Sequence, residues 1–315
     1  MTSNPEVSVV MSVYNGELYL KEAIDSILNQ TFTNFEFIII NDASTDNSRA
    51  IIESYNDERI SLLDNDHNQG LPQCLNQGIR IAKGKYIARM DADDISLPQR
   101  LVKQVMFMEE NLDIGVCGTW VKIIGANPEW IRQLDTDHET MRCNFIFEHQ
   151  IVHPTVIMRK DLILKYNLLY DPAYVKAQDY ELWCRCGRYF PLANIDEVLM
   201  LYRQHNTADI IRITREQQRF AEMIQLQEIR NLGVEPTIEE IELHKEISLW
   251  RIHVNQEFVH RNRIWFEKLI EANSRTHYYP EPAFSENIKK RWLKIVEFLE
   301  SEKFISDNSL LSDHI

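Results

Sequence analysis

Apolar residues along this chain fall into two rhythms. Up to about residue 203, short apolar runs alternate with stretches of helical spacing. Val7-Ser8-Val9-Val10-Met11-Ser12-Val13, Phe35 to Ile40 and Ile60-Ser61-Leu62-Leu63 are runs of the kind that form buried parallel strands. Between them Leu18, Tyr19, Ala23, Ile24, Ile27 and Leu28 recur at helical spacing and predict a helix over 17–30. The polar turn Asn41-Asp42-Ala43-Ser44-Thr45-Asp46 leads into a helix reaching about Tyr55, and Leu71 to Ala82 reads as another. Tyr86, Ala88 and Met90 then alternate as a fourth strand after the turn at Gly84. Strands alternating with helices predict a doubly wound, Rossmann-like, mainly parallel α/β sheet.

In such sheets ligands bind beyond the carboxyl ends of the strands. Three polar clusters fall there: Tyr14-Asn15, Asn41-Asp42 and Asp91 to Asp94. The sheet would bring them to one edge, although about 80 residues separate the first from the last in a doubly wound order. A strand ending in Asp91-Ala92-Asp93 points both carboxylates to one face, because side chains i and i+2 share a face. Carboxylates so close raise each other's proton affinity, and a hard divalent cation, Mg2+ or Mn2+, relieves the conflict. The alternative is a solvated acidic turn. No Gly-x-Gly-x-x-Gly follows the first strand and no Gly-x-x-x-x-Gly-Lys-Ser/Thr occurs, so any diphosphate would be held by a metal and side chains.

Further on, Ser96 and Pro98 suit the start of a helix over Leu97–Asn111, and Gly115 to Ile124 reads as a strand. Gly125 to Asp137 reads as a loop, a candidate for a mobile or acceptor-side segment. Asp137 caps a helix through about Phe147, a loop and strand end at Arg159, and Asp161 starts a short helix. The stretch Tyr174 to Arg185 begins as a loop and becomes a helix with Asp179 in its first turn, where the helix dipole favours an ionised carboxylate. Trp183 is a sugar-stacking candidate, against the simpler reading of a core aromatic. Ile195 to Arg203 is a final strand.

From about 211 the rhythm is helical: Ile211–Leu232, Thr237–Val259, Trp265–Ala272 and Ser285–Glu300, with breaks at Pro236, Pro280 and Pro282. The pattern divides the chain into residues 1–208, an α/β domain, and 209–315, a helical region. Ile288-Lys289-Lys290-Arg291-Trp292-Leu293-Lys294 is basic and carries a Trp, a pattern open to peripheral contact with the inner face of a membrane or to an ordinary solvated helix face.

Composition narrows the classes. The 315 residues carry a net charge of −14, which argues against nucleic acid as a partner. No apolar run reaches the 18 or so residues of a membrane span. The start, Met-Thr-Ser-Asn-Pro-Glu, lacks signal-peptide features. Five cysteines without framework spacing suit reduced thiols in a cytoplasmic protein.

Val7–Asp46, Tyr86–Pro98, Ala177-Gln178-Asp179-Tyr180-Glu181-Leu182-Trp183 and Tyr202-Arg203-Gln204-His205 together resemble family 2 glycosyltransferases of the GT-A fold, over about residues 5–208. The likeness is greatest to bacterial enzymes of lipooligosaccharide, capsule or O-antigen synthesis. It implies inverting transfer of a sugar such as GlcNAc or Gal from a UDP-sugar donor to a saccharide or lipid-linked saccharide acceptor. It also implies that Val13, Tyr14 and Asp42 hold the nucleobase and that Asp91 contacts ribose or metal. On the same basis Asp93 binds Mg2+ or Mn2+, Asp179 is the catalytic base, and His205 lies near the diphosphate or metal. Many members carry Glu before that base; here the residue is Gln178. A metal-dependent nucleotidyltransferase and a non-catalytic sugar-binding module are the competing readings.

Overall fold

The structure, a computed structural model, describes residues 4–205 and 210–302. The boundary read at 208–209 lies outside the described residues. The chain forms two compact units: one runs to Asp137 and resumes over Ile151–Gln217, and the other takes His138–Gln150 and the chain from Gln218 onward.

The first unit is built on β1 (Val7–Val13), α1 (Leu20–Leu28), β2 (Phe35–Asn41), α2 (Ser48–Glu53), β3 (Ile60–Asp64), α3 (Leu71–Ile81) and β4 (Tyr86–Asp91). β5 (Ile95–Ser96), α4 (Arg100–Glu110), β6 (Val116–Ile124) and β7 (Trp130–Arg132) follow. After α5 (His138–Asn144), which belongs to the other unit, come a single 3-10 turn at His153–Thr155, β8 (Ile157–Arg159), α6 (Lys160–Lys165), α7 (Gln178–Cys186) and β9 (Leu192–Arg203).

One sheet runs β3-β2-β1-β4-β8-β6-β9-β5, with β7 paired to β6. β3, β2, β1 and β4 are parallel, as their apolar runs predict. Beyond β4 the sheet is mixed: β8 runs antiparallel to both its neighbours and β5 antiparallel to β9, while β6 and β9 are parallel. β5, β7 and β8 are two or three residues long, too short to leave a period in the sequence. Thus Ile95–Ser96, expected to lead into a helix, pairs instead with Met200 and Leu201. The 125–137 segment, expected to be a loop, carries β7.

Val7, Val9, Met11 and Val13 of β1 enter the core with Phe37 and Ile39 of β2 and Tyr86, Ala88 and Met90 of β4. The alternation of β4 leaves Arg89 and Asp91 together on the opposite face. Gly84 is required before β4: a Cβ there would lie 2.6 Å from the Ser8 nitrogen.

The second unit is helical: α5 and most of α8 (Ile210–Asn231), with α9 (Ile238–Ser248), α10 (Gln256–Thr276) and α11 (Ala283–Ser301). The single helix expected over Thr237–Val259 is broken: Trp250 takes a left-handed φ of 55°, and the Asn255 side chain accepts from the Phe258 N–H to cap a new start. Cys143, Ile146 and Phe147 share a core with Trp265, Phe266, Tyr279, Ile288 and Trp292. Buried Arg142 lies 3.3 Å from Glu228 and 4.5 Å over the rings of both Tyr278 and Tyr279. Trp292 is only 4 % exposed, so the aromatic that would anchor a membrane-lying helix points inward. No helix among the described residues is long and apolar enough to cross a membrane.

Candidate active site

The parallel register sets Val13 beside Asn41 and Ser12 beside Asp91, so the ends of β1, β2 and β4 open on one edge. The loops after β1 and β2 are laced together. Asn15 Oδ1 accepts from the Thr45 N–H at 2.8 Å, Gly16 N–H donates to Ser48 Oγ at 2.8 Å, and Glu17 N–H donates to Asp46 at 3.0 Å. Tyr14 is left half exposed above buried Val13.

Asp42 is buried, and its carboxylate faces the chain itself. It accepts from Asn65 Nδ2 at 2.9 Å, from the Gln69 N–H at 2.9 Å and from the Gly70 N–H at 2.8 Å. Burial alone would raise its pKa, but these bonds carry it below the usual value. The carboxylate thus braces the 65–70 loop, and it also meets the Cys74 thiol at the start of α3.

At the end of β4 the chain turns, and oxygens of Asp91, Asp93 and Asp94 come within 4.8 Å of one another. The strand ends at Asp91, so the turn, not the strand repeat, brings Asp93 in, and it brings Asp94 as well. Asp94 is almost fully buried; its Oδ1 accepts from the Arg203 N–H at 2.8 Å and its Oδ2 has no hydrogen-bond partner. Burial, then the charges of Asp91 and Asp93, push Asp94 well above the ordinary carboxylate range. Burial also raises Asp91, against the opposing pull of Arg89. Arg203 clamps the turn further, donating from Nε to the Asp93 carbonyl at 2.8 Å and from Nη2 to Glu22 at 2.7 Å. His205 Nε2 lies 2.6 Å from Asp93 Oδ2. Three hard oxygen donors, one of them orphaned, fit a small divalent cation.

Asp179 is the second residue of α7 and half buried, behind Ala177 with its left-handed φ of 57°. Asn15 and Ala43, at φ 53° and 57°, repeat that costly conformation beside Tyr14 and Asp42. Burial raises the Asp179 pKa. The main-chain N–H groups of Tyr180 and Asp179 pull it down as a helix start should, as does the Arg89 charge, but burial prevails. The charge of Asp91 raises it further, so the helix carboxylate and the β4 cluster lie within electrostatic reach. Gln178 is buried, and Trp183 is wholly buried as a core residue, with its ring edge-on to His153 and Tyr170.

No role is assigned from sequence to Arg89, to Asp94 within the Asp91–Asp94 cluster, or to Arg203 within the Tyr202–His205 motif. Asp94 was visible as a third adjacent carboxylate, whereas Arg89 and Arg203 act through partners that only the fold supplies.

A sheet of this order, with a carboxylate cluster at the end of its fourth strand and a second carboxylate at a helix start beyond, defines the GT-A class of glycosyltransferase folds. The family model "Glycosyl transferase family 2" matches residues 8–166. An uncharacterised glycosyltransferase of Haemophilus influenzae is 32 % identical over 293 residues, 88 % of this chain and 89 % of that one. The O-antigen biosynthesis glycosyltransferase WbnJ of Escherichia coli is 37 % identical over 207 residues, 64 % of this chain and 80 % of that one. The crystal structure of S. aureus TarS 1-349 in complex with UDP-GlcNAc superposes with a TM-score of 0.59 at 16 % identity, covering 94 % of this chain and 92 % of that one, a likeness of fold. The chain belongs to glycosyltransferase family 2 and is an enzyme of that class.

Proposed function

We propose that this enzyme transfers a sugar, GlcNAc, Gal or a related hexose, from a UDP-sugar to a saccharide or lipid-linked saccharide acceptor, with inversion, in the synthesis of a surface polysaccharide or lipooligosaccharide. The observation that carries the reading is the Asp91–Asp93–Asp94 cluster within electrostatic reach of Asp179. The donor class is supported by the UDP-GlcNAc held by TarS, and the polysaccharide role by the likeness to WbnJ.

Enzymes of this family commonly use a divalent metal. Asp91, Asp93 and the free Oδ2 of Asp94 would hold Mn2+ or Mg2+, with His205 beside them as the partner of Asp93. When bound, the metal supplies Lewis-acid stabilisation of the charge that grows on the leaving diphosphate. Tyr14, exposed at the end of β1, would cover one side of the nucleobase. Asp42 would fix the base pocket through the 65–70 loop it braces and would meet the imide N–H of the base there.

In the transfer, Asp179 accepts the proton of the acceptor hydroxyl as that oxygen bonds to the anomeric carbon. The bond from that carbon to the diphosphate oxygen breaks on the opposite face, and UDP departs with the electron pair. The raised pKa of Asp179 strengthens it as a base at neutral pH. Isothermal calorimetry of UDP with and without Mn2+ tests the reading. Asp93→Ala should abolish the metal-dependent part of the affinity, and equal affinities in wild type and variant would reject the metal role.

A further inference from the structure

β7 carries two large apolar side chains that stay out of the core: Trp130 is 49 % exposed and Ile131 52 %. The hairpin that presents them is nevertheless firmly built. Trp130, Ile131 and Arg132 pair with Ile123, Lys122 and Val121 of β6. Lys122 Nζ bridges to Glu129 at 2.7 Å, and Ala126 and Leu134, on either side of β7, pack on the main core. Past the strand, the Leu134 carbonyl accepts from Trp120 Nε1 at 2.9 Å and the Asp135 carbonyl from Asn194 Nδ2 at 2.7 Å. An aromatic on so fixed a backbone loses little freedom when a ligand packs on it.

The hairpin grows from the rim of the acidic cluster. On its other edge β6 pairs with β9, Ile123 beside Tyr202 and Ile124 beside Arg203. Trp130, Ile123 and Tyr202 thus form one row across three strands, and residues opposite one another share a face. The next row belongs to the site: the Arg203 N–H donates to Asp94, and the Gln204 N–H to the Ile124 carbonyl at 2.9 Å. The turn into the hairpin presses on the same residue, since a Cβ on Gly125, at φ 78°, would lie 2.7 Å from the Gln204 carbonyl oxygen. His205, the following residue, lies 2.6 Å from Asp93. Burial and the charges of Asp91, Asp94 and Asp93 raise the Tyr202 hydroxyl, so the row ends beside the carboxylates. Trp130 stands two strand spacings, about 10 Å, from Tyr202.

We propose that Trp130 is a specificity-determining residue that stacks on a sugar ring of the acceptor, beyond the ring whose hydroxyl is attacked. The inference rests on the proposed reading of the acceptor as a saccharide. A pyranose has an apolar C–H face and a polar rim. A half-exposed indole takes the face and leaves the hydroxyls in water. A strand of a second chain suits this edge poorly: β7 has three residues and lies between Glu129 and Arg132, and short length and flanking charge both blunt edge pairing. The separation from the cluster sets the substrate class. An acceptor of at least two sugars reaches Trp130 while its end ring meets the donor, and a single sugar does not.

The test uses the full chain labelled with 5-fluorotryptophan, in UDP and Mn2+, with the Trp130 fluorine resonance identified by its loss in Trp130→Tyr. Lactose, cellobiose and N,N′-diacetylchitobiose are titrated beside the methyl glycosides of their single sugars. The resonance should shift saturably with at least one disaccharide, and the matching single sugar should bind about tenfold more weakly. Trp130→Ala should weaken that disaccharide about tenfold, in calorimetric affinity and in acceptor KM, the effect of losing one stacked aromatic. Its UDP affinity and its UDP-GlcNAc hydrolysis without acceptor should equal those of wild type, and Trp130→Tyr should recover most of the loss. A Trp130 resonance that no disaccharide moves, or unchanged disaccharide affinity in Trp130→Ala, would overturn the proposal. So would a wild-type dimer in sedimentation that Trp130→Ala dissociates at unchanged disaccharide affinity, which would give the strand to a second copy. Should Trp130→Ala fail to fold by thermal melt, the wild-type titration decides. Wild type without Mn2+-dependent UDP affinity would fail the donor reading itself, a result separate from a silent Trp130.

Discussion

The main-chain N–H of Arg203 donates to Oδ1 of Asp94 at 2.8 Å, joining residues 109 positions apart. The last strand of the sheet thereby fixes the orientation of a carboxylate at the end of the fourth. Asp94 cannot swing to water, and its second oxygen is presented to the cluster. The Arg203 side chain adds the bond to the Asp93 carbonyl and lies over the Tyr19 ring at 4.1 Å. Arg203→Met keeps the main-chain bond and removes the side-chain clamp. A charged hydrogen bond contributes about 1.5–3 kcal/mol, so UDP affinity in Mn2+ should fall about tenfold or more while metal-free affinity changes little. Calorimetry in the two conditions reads this directly; an equal loss in both would mean that Arg203 serves the nucleotide and not the turn.

Asp179→Asn preserves shape and removes the proton acceptor. Turnover should drop by about 10²–10⁴ with donor affinity nearly unchanged. Burial raises the Asp179 pKa above the usual carboxylate range, so in the wild type the acid limb of kcat/KM should lie above that range. Activity should rise with pH through that limb as the carboxylate ionises. A flat profile from pH 4 to 7, or an Asp179→Asn variant with wild-type turnover, would assign the proton to another group.

Asp91 and Asp94 are likewise raised above 3.8 by burial. A carboxylate whose folded pKa is raised contributes stability fully below its unfolded value, and that contribution is lost as pH rises through the folded value. The metal-free protein therefore loses stability on that rise. Mn2+ should restore it, since binding needs the ionised forms. The increase in Tm on adding Mn2+ should be larger at pH 7 than at pH 5; differential scanning fluorimetry at both would detect an increment that does not depend on pH and so count against this cluster as the site.

Asp42 titrates the other way. Its folded pKa lies below 3.8, so its contribution is present above the unfolded value and is lost as pH falls through the folded one. Asp42→Ala strands the Gln69 and Gly70 N–H groups and should cost about 1.5–3 kcal/mol in urea unfolding at neutral pH. The cost should shrink toward pH 3. A loss of UDP affinity without a loss of stability would instead make Asp42 a direct base contact alone.

Trp292 should behave as a core residue of the helical unit. Trp292→Ala should cost about 3–5 kcal/mol by denaturant titration. A variant that keeps full stability but loses sedimentation with anionic vesicles would return the helix to the membrane surface.

The parallel half of the fold was legible because buried parallel strands write themselves as apolar runs, as Val7–Val13 and Phe35 to Ile40 do, and because Tyr86, Ala88 and Met90 alternate into the core. Topology then gathered Tyr14, Asp42 and Asp91 without further information. Ile95–Ser96 and Trp130–Arg132 were not legible, because strands so short exist only through their pairing with β9 and β6. The Asp91–Asp93 proximity was foreseen, but through a strand repeat that stops at Asp91. Arg89 in a strand reads as one charge among many until burial and Asp91 are both known. His138–Gln150 gives no sign in sequence order that it joins the helical unit, since its apolar residues meet partners about a hundred positions away across a tertiary core.

The most direct test is a crystal structure with UDP-GlcNAc and Mn2+, with the metal located by anomalous scattering. The account predicts a manganese peak among the carboxylates of Asp91, Asp93 and Asp94, with the sugar's anomeric carbon between the diphosphate and the Asp179 carboxylate. A donor bound with its anomeric carbon turned away from Asp179, or a metal held by other residues, would contradict it.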